Sequence, residues 1–168
     1  RQAHRLLLII VPADVKDSAE FAEKMRGQNF HVTLRSEEAN PGEPTQVYVI
    51  DTEEELGLWY RIAPITFLGG TLNGGGCRDP FEATALGSAV LYGPLVSPYD
   101  KHAARLNTAG ASRLIRSSND LGVVVESLLA PDKTAAIAHA AWDVPSRGAD
   151  VTNRVAAYIR DRLEEMGR

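Results

Sequence analysis

The residues best suited to chemistry lie in one stretch, where a glycine-rich turn is followed by two carboxylates. An apolar run ends at Leu68, and five glycines fall within residues 69–76. Glycines leave backbone N–H groups bare, so that a ligand can approach them. Asp79, Pro80 and Glu82 then suit the N-cap, first and third positions of a helix, as in a capping box. This pattern predicts either an anion or sugar-phosphate site or simply a well-capped helix behind a flexible turn.

A second group of carboxylates follows the third predicted strand. Thr52-x-x-Glu55 also fits a capping box, here at the start of a helix predicted over residues 53–63. Glu53, Glu54 and Glu55 favour the positive end of that helix, and we prefer this role to a catalytic pair of carboxylates.

Metal and thiol chemistry have little support. Cys77 is the only cysteine and has no neighbouring histidine, which disfavours a nucleophile and excludes an internal disulfide. The histidines show neither H-x-x-x-H nor H-E-x-x-H spacing; they are His4, His31, His102 and His139. We therefore predict no metal site and no cofactor.

Composition places the chain among ordinary globular proteins. Of its 168 residues, 44% are hydrophobic and 24% charged, and the formal net charge is −4. This negative charge argues against a nucleic-acid partner, which normally meets a basic patch. The sequence begins without Met and runs directly into a strand-like segment, so we expect a piece of a longer protein.

Apolar runs alternate with helical patterns, as in α/β proteins. Strands are predicted at residues 6–11, 30–34, 46–50, 65–68, 89–92 and 112–115. Helices are predicted at residues 17–27, 53–63, 80–86, 101–109, 118–129, 132–142 and 150–166. Because the strands are almost uniformly apolar, we predict a Rossmann-like parallel sheet with helices on both faces. The prediction is one domain over residues 1–168, with sheet and helices in 1–116 and a helical C-terminal tail in 117–168.

Ligands of such sheets bind beyond the carboxyl ends of the strands. Asp51-Thr52 and the glycine-rich turn follow two such ends, and we expect both to face one crevice. The first strand ends in residues 11–14 without G-x-G-x-x-G, and the chain has no G-x-x-x-x-G-K-[ST] motif. A dinucleotide fingerprint and a Walker-type loop are therefore not indicated.

Three motifs carry a resemblance to a known family. They are Asp-Thr-Glu-Glu-Glu-Leu-Gly-Leu-Trp-Tyr at residues 51–60, Phe-Leu-Gly-Gly-Thr-Leu at 67–72 and Asp-Pro-Phe-Glu at 79–82. The chain resembles the C-terminal half of the 3-deoxy-D-manno-octulosonic acid (Kdo) transferases, which are GT-B glycosyltransferases that add Kdo to lipid A. The likeness covers most of residues 6–130 and implies one half of a GT-B fold.

The resemblance implies that this half binds the donor CMP-Kdo, without metal, and that the catalytic base and the lipid A precursor site lie in a missing N-terminal half. No catalytic residue is then expected here, and the fragment alone should be inactive. Membrane contact would come from missing segments, at the cytoplasmic face of the bacterial inner membrane. The turn at 52–56 would face the cytidine, and Glu82 would hold ribose hydroxyls. The expected donor-binding residues are Thr52, Glu53, Glu54, Glu55, Leu56, Gly69, Gly70, Thr71, Arg78, Asp79 and Glu82.

The chain departs from the family at the phosphate. Ala13 stands where the family has an arginine that meets the donor phosphate, and Asp14 adds negative charge. Arg78-Asp79 replaces the family's His-Asn, so Arg78 could supply a cation from another side. Losing one charge-assisted bond costs about 1.5–3 kcal/mol. Two alternatives therefore stay open, a degenerate GT-B-like binding module without catalysis and a nucleotide-sugar epimerase-like domain.

Overall fold

The structure, a computed structural model, describes residues 6–37 and 40–166. It divides into two compact units, Arg1–Trp59 and Tyr60–Arg168. The boundary falls inside a helix, whereas the sequence suggests a change of character at 116/117. We describe each unit by itself.

The first unit holds a three-stranded sheet in which every pair is parallel. Its elements are β1 (Leu8–Ile10), a 3-10 turn (Val15–Asp17), α1 (Ser18–Arg26), β2 (Val32–Leu34) and β3 (Val47–Val49), followed by α2 (Leu56–Ile62), which runs into the second unit. The strand order is β1-β3-β2. The central strand β3 is buried along its whole length because both of its faces are covered.

Alternate residues of β3 supply the two faces of this core. Val47 and Val49 pack with Ala22 of α1 on one face, and Tyr48 packs with Trp59 of α2 on the other. The rings of Tyr48 and Trp59 meet edge to face with centroids 5.7 Å apart. The first unit thus has helices on both faces of its sheet, as predicted.

The second unit repeats this arrangement with order β4-β5-β6, again all parallel. Its elements are β4 (Ile65–Leu68), α3 (Gly70–Asn73), α4 (Pro80–Ala85), β5 (Ala89–Tyr92), α5 (Asp100–Thr108), β6 (Ser112–Leu114), α6 (Ser118–Leu128) and α7 (Pro131–Met166). The buried central strand β5 anchors the core. The predicted class, α/β with parallel strands, is confirmed, although the described strands form two separate three-stranded ladders.

One prediction about the C-terminal region is wrong. The helices predicted at 132–142 and 150–166 are one continuous helix, α7. This region is also part of the core, since Leu128 and Ile137 pack with Ala89 and Leu91 of β5. Ala141 and Val144, near the end of the first predicted helix and just beyond it, pack with Leu106 and Ala111, and this packing carries the helix past residue 142. In the part of the chain that the structure describes, no helix is long and apolar enough to cross a bilayer.

Candidate functional site

The turn after β3 is fixed first by its own aspartate. The Asp51 carboxylate accepts a hydrogen bond from the Ser36 backbone N–H at 2.8 Å and another from the Ser36 hydroxyl. Ser36 lies just beyond β2, so this pair joins the carboxyl ends of two adjacent strands. The beginning of residues 51–55 is thereby held in place.

The capping box predicted at Thr52 is wrong. Helix α2 begins at Leu56, and the carbonyl of Glu55 accepts from the N–H of Leu58 at 2.9 Å. The Thr52 hydroxyl donates to the Glu55 carboxylate instead of accepting from the backbone. The physical reason is Glu54, whose φ of 68° lies in the left-handed region and delays the right-handed helix until after it.

Glu55 is the anchor of this turn, and its partner is Arg35. Arg35 donates from Nε to Glu55 Oε2 at 3.0 Å and from Nη2 to Oε1 at 2.7 Å, a two-pronged ion pair. The Arg35 guanidinium, together with the Thr52 hydroxyl, lowers the pKa of Glu55 to about 2. The pKa of Arg35 is raised in turn, mainly by its hydrogen bonds to Glu55. Glu55 therefore stays ionised throughout the physiological range.

The rest of the turn is left open to solvent. Glu53 and Glu54 are exposed, and their carboxylates have no hydrogen bond or ion pair within the described structure. The backbone N–H groups of residues 52–55 likewise donate no hydrogen bond to any described residue. Leu56 is the first residue of α2 and is half-buried. The turn thus offers several free backbone donors next to one another.

In the second unit, the first part of the glycine-rich stretch is helical and tightly packed. Gly70 opens the short helix α3, and a Cβ at this position would lie 2.2 Å from the carbonyl oxygen of Gly76. Thr71 is fully buried; its hydroxyl donates to the Leu68 carbonyl at 2.5 Å and accepts from the Gly93 N–H at 2.5 Å. The Thr71 side chain is therefore occupied within the fold. The expectation of an open turn directly after β4 is wrong, because α3 forms there.

Free backbone donors occur later in the same loop. The N–H groups of residues 76–79 donate no hydrogen bond within the described structure. Gly69, by contrast, is exposed, and a side chain there would meet only ordinary contacts. The part of the loop suited to a ligand is thus displaced toward α4.

Of the two side-chain hydrogen bonds of the capping box predicted at the N-terminus of α4, only the one to Asp79 forms. The Asp79 carboxylate accepts from the Phe81 N–H at 2.9 Å, and Pro80 takes the first helical position, as predicted. Glu82 does not return the bond to Asp79, and its exposed carboxylate has no hydrogen-bond or ion-pair partner in the described chain. The Glu82 carboxylate therefore does not take the predicted part in capping α4 and is available to a ligand.

His102 is a member of this site that sequence spacing did not indicate. Its Nδ1 lies 2.8 Å from Asp79 Oδ1, and its ring stacks on Phe81 with centroids 4.1 Å apart. The two residues are 23 positions apart on different helices, so no local motif joins them. The ring of Tyr99, three residues earlier, lies 6.0 Å from the same ring, and no local pattern in the sequence indicates the contact between His102 and Asp79.

Tyr60 is buried, and its pKa responds to the charges of Arg78 and Glu82. Burial raises the pKa of its phenol; the Arg78 charge opposes that shift, and the Glu82 charge adds to it. Arg78 is exposed, and its guanidinium has no hydrogen bond or ion pair with a described residue. Burial and nearby carboxylates raise the pKa of the Cys77 thiol, which keeps it protonated and disfavours a nucleophile.

The departure after β1 also has a local explanation. Ala13 is exposed, and Asp14 caps the 3-10 turn by accepting from the Lys16 N–H at 2.9 Å. The carboxylate that seemed to oppose a phosphate thus has a structural task. Elsewhere, no group of three or more His, Cys, Asp or Glu among the described residues could hold a metal ion.

The known proteins to which this chain is similar in sequence are named as Kdo transferases. No protein-family model matches the chain. It is 24% identical over 127 residues to a Kdo transferase of Rickettsia felis, covering 76% of the chain and 27% of that protein. It is 27% identical to the Haemophilus influenzae Kdo transferase, over 95% of the chain and 38% of the relative. It is 37% identical to a probable mitochondrial Kdo transferase of Arabidopsis thaliana, over 52% of the chain and 20% of the relative.

A solved structure agrees with these relatives. The fold matches the C-terminal CMP-Kdo binding domain of WaaA from Acinetobacter baumannii with a TM-score of 0.77 and 26% identity, covering 84% of this chain and 75% of that one. The predicted resemblance and the Rossmann-like half of a GT-B fold are therefore confirmed. The chain spans less than two fifths of the length of each curated relative described above.

Proposed function

We propose that this chain, similar in sequence and in fold to the C-terminal part of the Kdo transferases, is the donor-binding domain of such an enzyme and binds CMP-Kdo. The observation that carries the proposal is the match to a domain described as binding this donor. The relatives, all named as Kdo transferases, favour neither a degenerate module nor an epimerase.

The free backbone donors of residues 52–55 suit the cytosine base. A pyrimidine is distinguished by the donors and acceptors on its edge, and backbone N–H groups in a fixed turn can read acceptors there. Glu53 and Glu54 contribute through their backbone N–H groups, which donate no hydrogen bond within the described structure. Glu55 and Thr52 shape the turn through their side-chain contact.

Glu82 suits the ribose. A carboxylate accepts two hydroxyl hydrogen bonds at once, and this one has no competing partner among the described residues. We assign Arg78 to the donor phosphate. It would replace the family's phosphate-binding arginine, at whose position this chain has Ala13. The N–H groups of residues 76–79 add neutral donors for the phosphate, while Gly69, Gly70 and Asp79 set the course of the loop that carries them.

We assign the remaining chemistry to the whole enzyme. A Kdo transferase moves the sugar from CMP to an acceptor, here a lipid A precursor, and the acceptor is bound outside this domain. We place the general base there too, together with membrane contact at the cytoplasmic face of the inner membrane. The reaction proposed for this domain needs its residues only to bind and orient the donor.

Replacing Glu82 by glutamine in the full-length protein tests the ribose assignment. Glutamine keeps the size but loses the charged acceptor, so the CMP binding free energy measured by calorimetry should weaken by about 1–3 kcal/mol, roughly fivefold to 150-fold in affinity. Glu20→Gln is the matched control, because Glu20 also lies exposed in the first turn of a helix. Equal CMP affinities for wild type, Glu82→Gln and Glu20→Gln would refute the ribose role.

A further inference from the structure

Residues 52–55 adopt a conformation in which their backbone N–H groups make no stabilising hydrogen bond within the described structure. Glu54 has a φ of 68°, and for a residue with a side chain the left-handed region costs about 1–2 kcal/mol. The conformation must therefore be stabilised by side-chain contacts, and the described ones converge on Glu55.

The contacts of Glu55 connect the turn to the sheet and core of the first unit through Arg35. Arg35 follows β2 directly, and its N–H donates to the Val49 carbonyl at 2.9 Å, so its backbone continues the sheet. Its guanidinium carbon lies 5.5 Å from the centroid of the Trp59 ring, which packs in the core of the first unit. From this position it makes both hydrogen bonds to Glu55.

We propose that Arg35 is a positioning residue of the donor site: through its paired hydrogen bonds to Glu55 it holds residues 52–55 in the conformation that presents their free N–H groups to the nucleotide base. This inference rests on the proposed function. Arg35 touches no donor atom in this account, since its role is to fix Glu55.

The geometry requires arginine in particular. A planar guanidinium presents two parallel N–H groups to the two oxygens of a carboxylate, whereas the ammonium of lysine is a point charge on a flexible stem. Lysine keeps the charge and loses the orientation. A role in orientation therefore predicts that lysine restores only part of the function.

The test compares Arg35→Met, Arg35→Lys and Arg26→Met in the full-length protein, with CMP as the titrated ligand in calorimetry. Arg26 is the matched control because it makes surface ion pairs with Glu23 and Glu37 in the same unit and does not contact residues 52–55. We expect CMP affinity to fall at least tenfold in Arg35→Met and less in Arg35→Lys, and to be unchanged in Arg26→Met.

A pH series separates positioning from general damage to the fold. Without the guanidinium, the pKa of Glu55 should return toward its ordinary value, so the ratio of wild-type to Arg35→Met affinity should grow as the pH falls from 7 to 4.5. Thr52→Val, which removes only the hydroxyl contact to Glu55, replaces Arg35→Met if the latter does not fold. Unchanged CMP affinity in the folded variant overturns this inference alone, whereas failure of the wild type to bind CMP overturns the proposed function and this inference with it.

Discussion

At the scale of single residues, Gly70 shows how closely the glycine loop is packed. Any side chain there would lie 2.2 Å from the backbone oxygen of Gly76, and backbone cannot move aside cheaply. Gly70→Ala should therefore lower the free energy of unfolding by at least about 2 kcal/mol in denaturant titration. Gly27→Ala is the control, since a Cβ at Gly27 meets only ordinary contacts at 3.5 Å and should change stability by less than about 1 kcal/mol. Equal losses in the two variants would show that the close approach at Gly70 is unimportant.

The lowered pKa of Glu55 predicts how the stability of the chain changes at acidic pH. Its pKa is lowered to about 2 in the folded chain, below its ordinary value near 4.5. The stability that it contributes is thus present above about pH 4.5 and lost as the pH falls toward 2. Glu55→Gln cannot titrate, so its free energy of unfolding should decline less between pH 6 and pH 3 than that of the wild type. Glu54→Gln, at an exposed and unpartnered carboxylate, should follow the wild-type curve, and parallel curves for all three proteins would contradict the assignment.

At the scale of elements, α7 is part of the core of the second unit. Ile137 is 4% exposed within the cluster on β5, whereas Leu163 on the same helix is 64% exposed. Ile137→Ala should cost about 2–5 kcal/mol of stability. Leu163→Ala should cost less than about 0.5 kcal/mol. Chemical denaturation of the two variants checks this difference, and similar small effects would mean that α7 is a separate tail after all.

The elements also show what the sequence could and could not predict. β5 has the predicted bounds because a strand covered on both faces is a continuous apolar run, and β4 also has the predicted bounds, between Pro64 and Gly69. The start of α2 was missed because it depends on Glu54 and on a partner of Glu55 that lies 20 residues away. The pairing of His102 with Asp79 was missed for the same reason, since contacts between distant segments leave no local periodicity.

At the scale of the whole molecule, the chain consists of two compact units, each with a parallel three-stranded sheet. Each unit supplies a segment with free backbone N–H groups, at residues 52–55 and 76–79. We have assigned residues 52–55 to the base of the donor. We therefore expect the protein to recognise a cytidine nucleotide.

Calorimetric titration of the full-length wild-type protein with CMP, and with UMP as the matched control, measures this recognition. CMP and UMP share ribose and phosphate and differ only at N3 and C4 of the base. Cytosine N3 accepts a hydrogen bond whereas uracil N3–H donates one, so a backbone N–H directed at N3 favours CMP. We expect saturable binding of one CMP per chain and at least tenfold weaker binding of UMP. No heat with CMP at millimolar concentration, or equal affinities for the two nucleotides, would contradict this expectation.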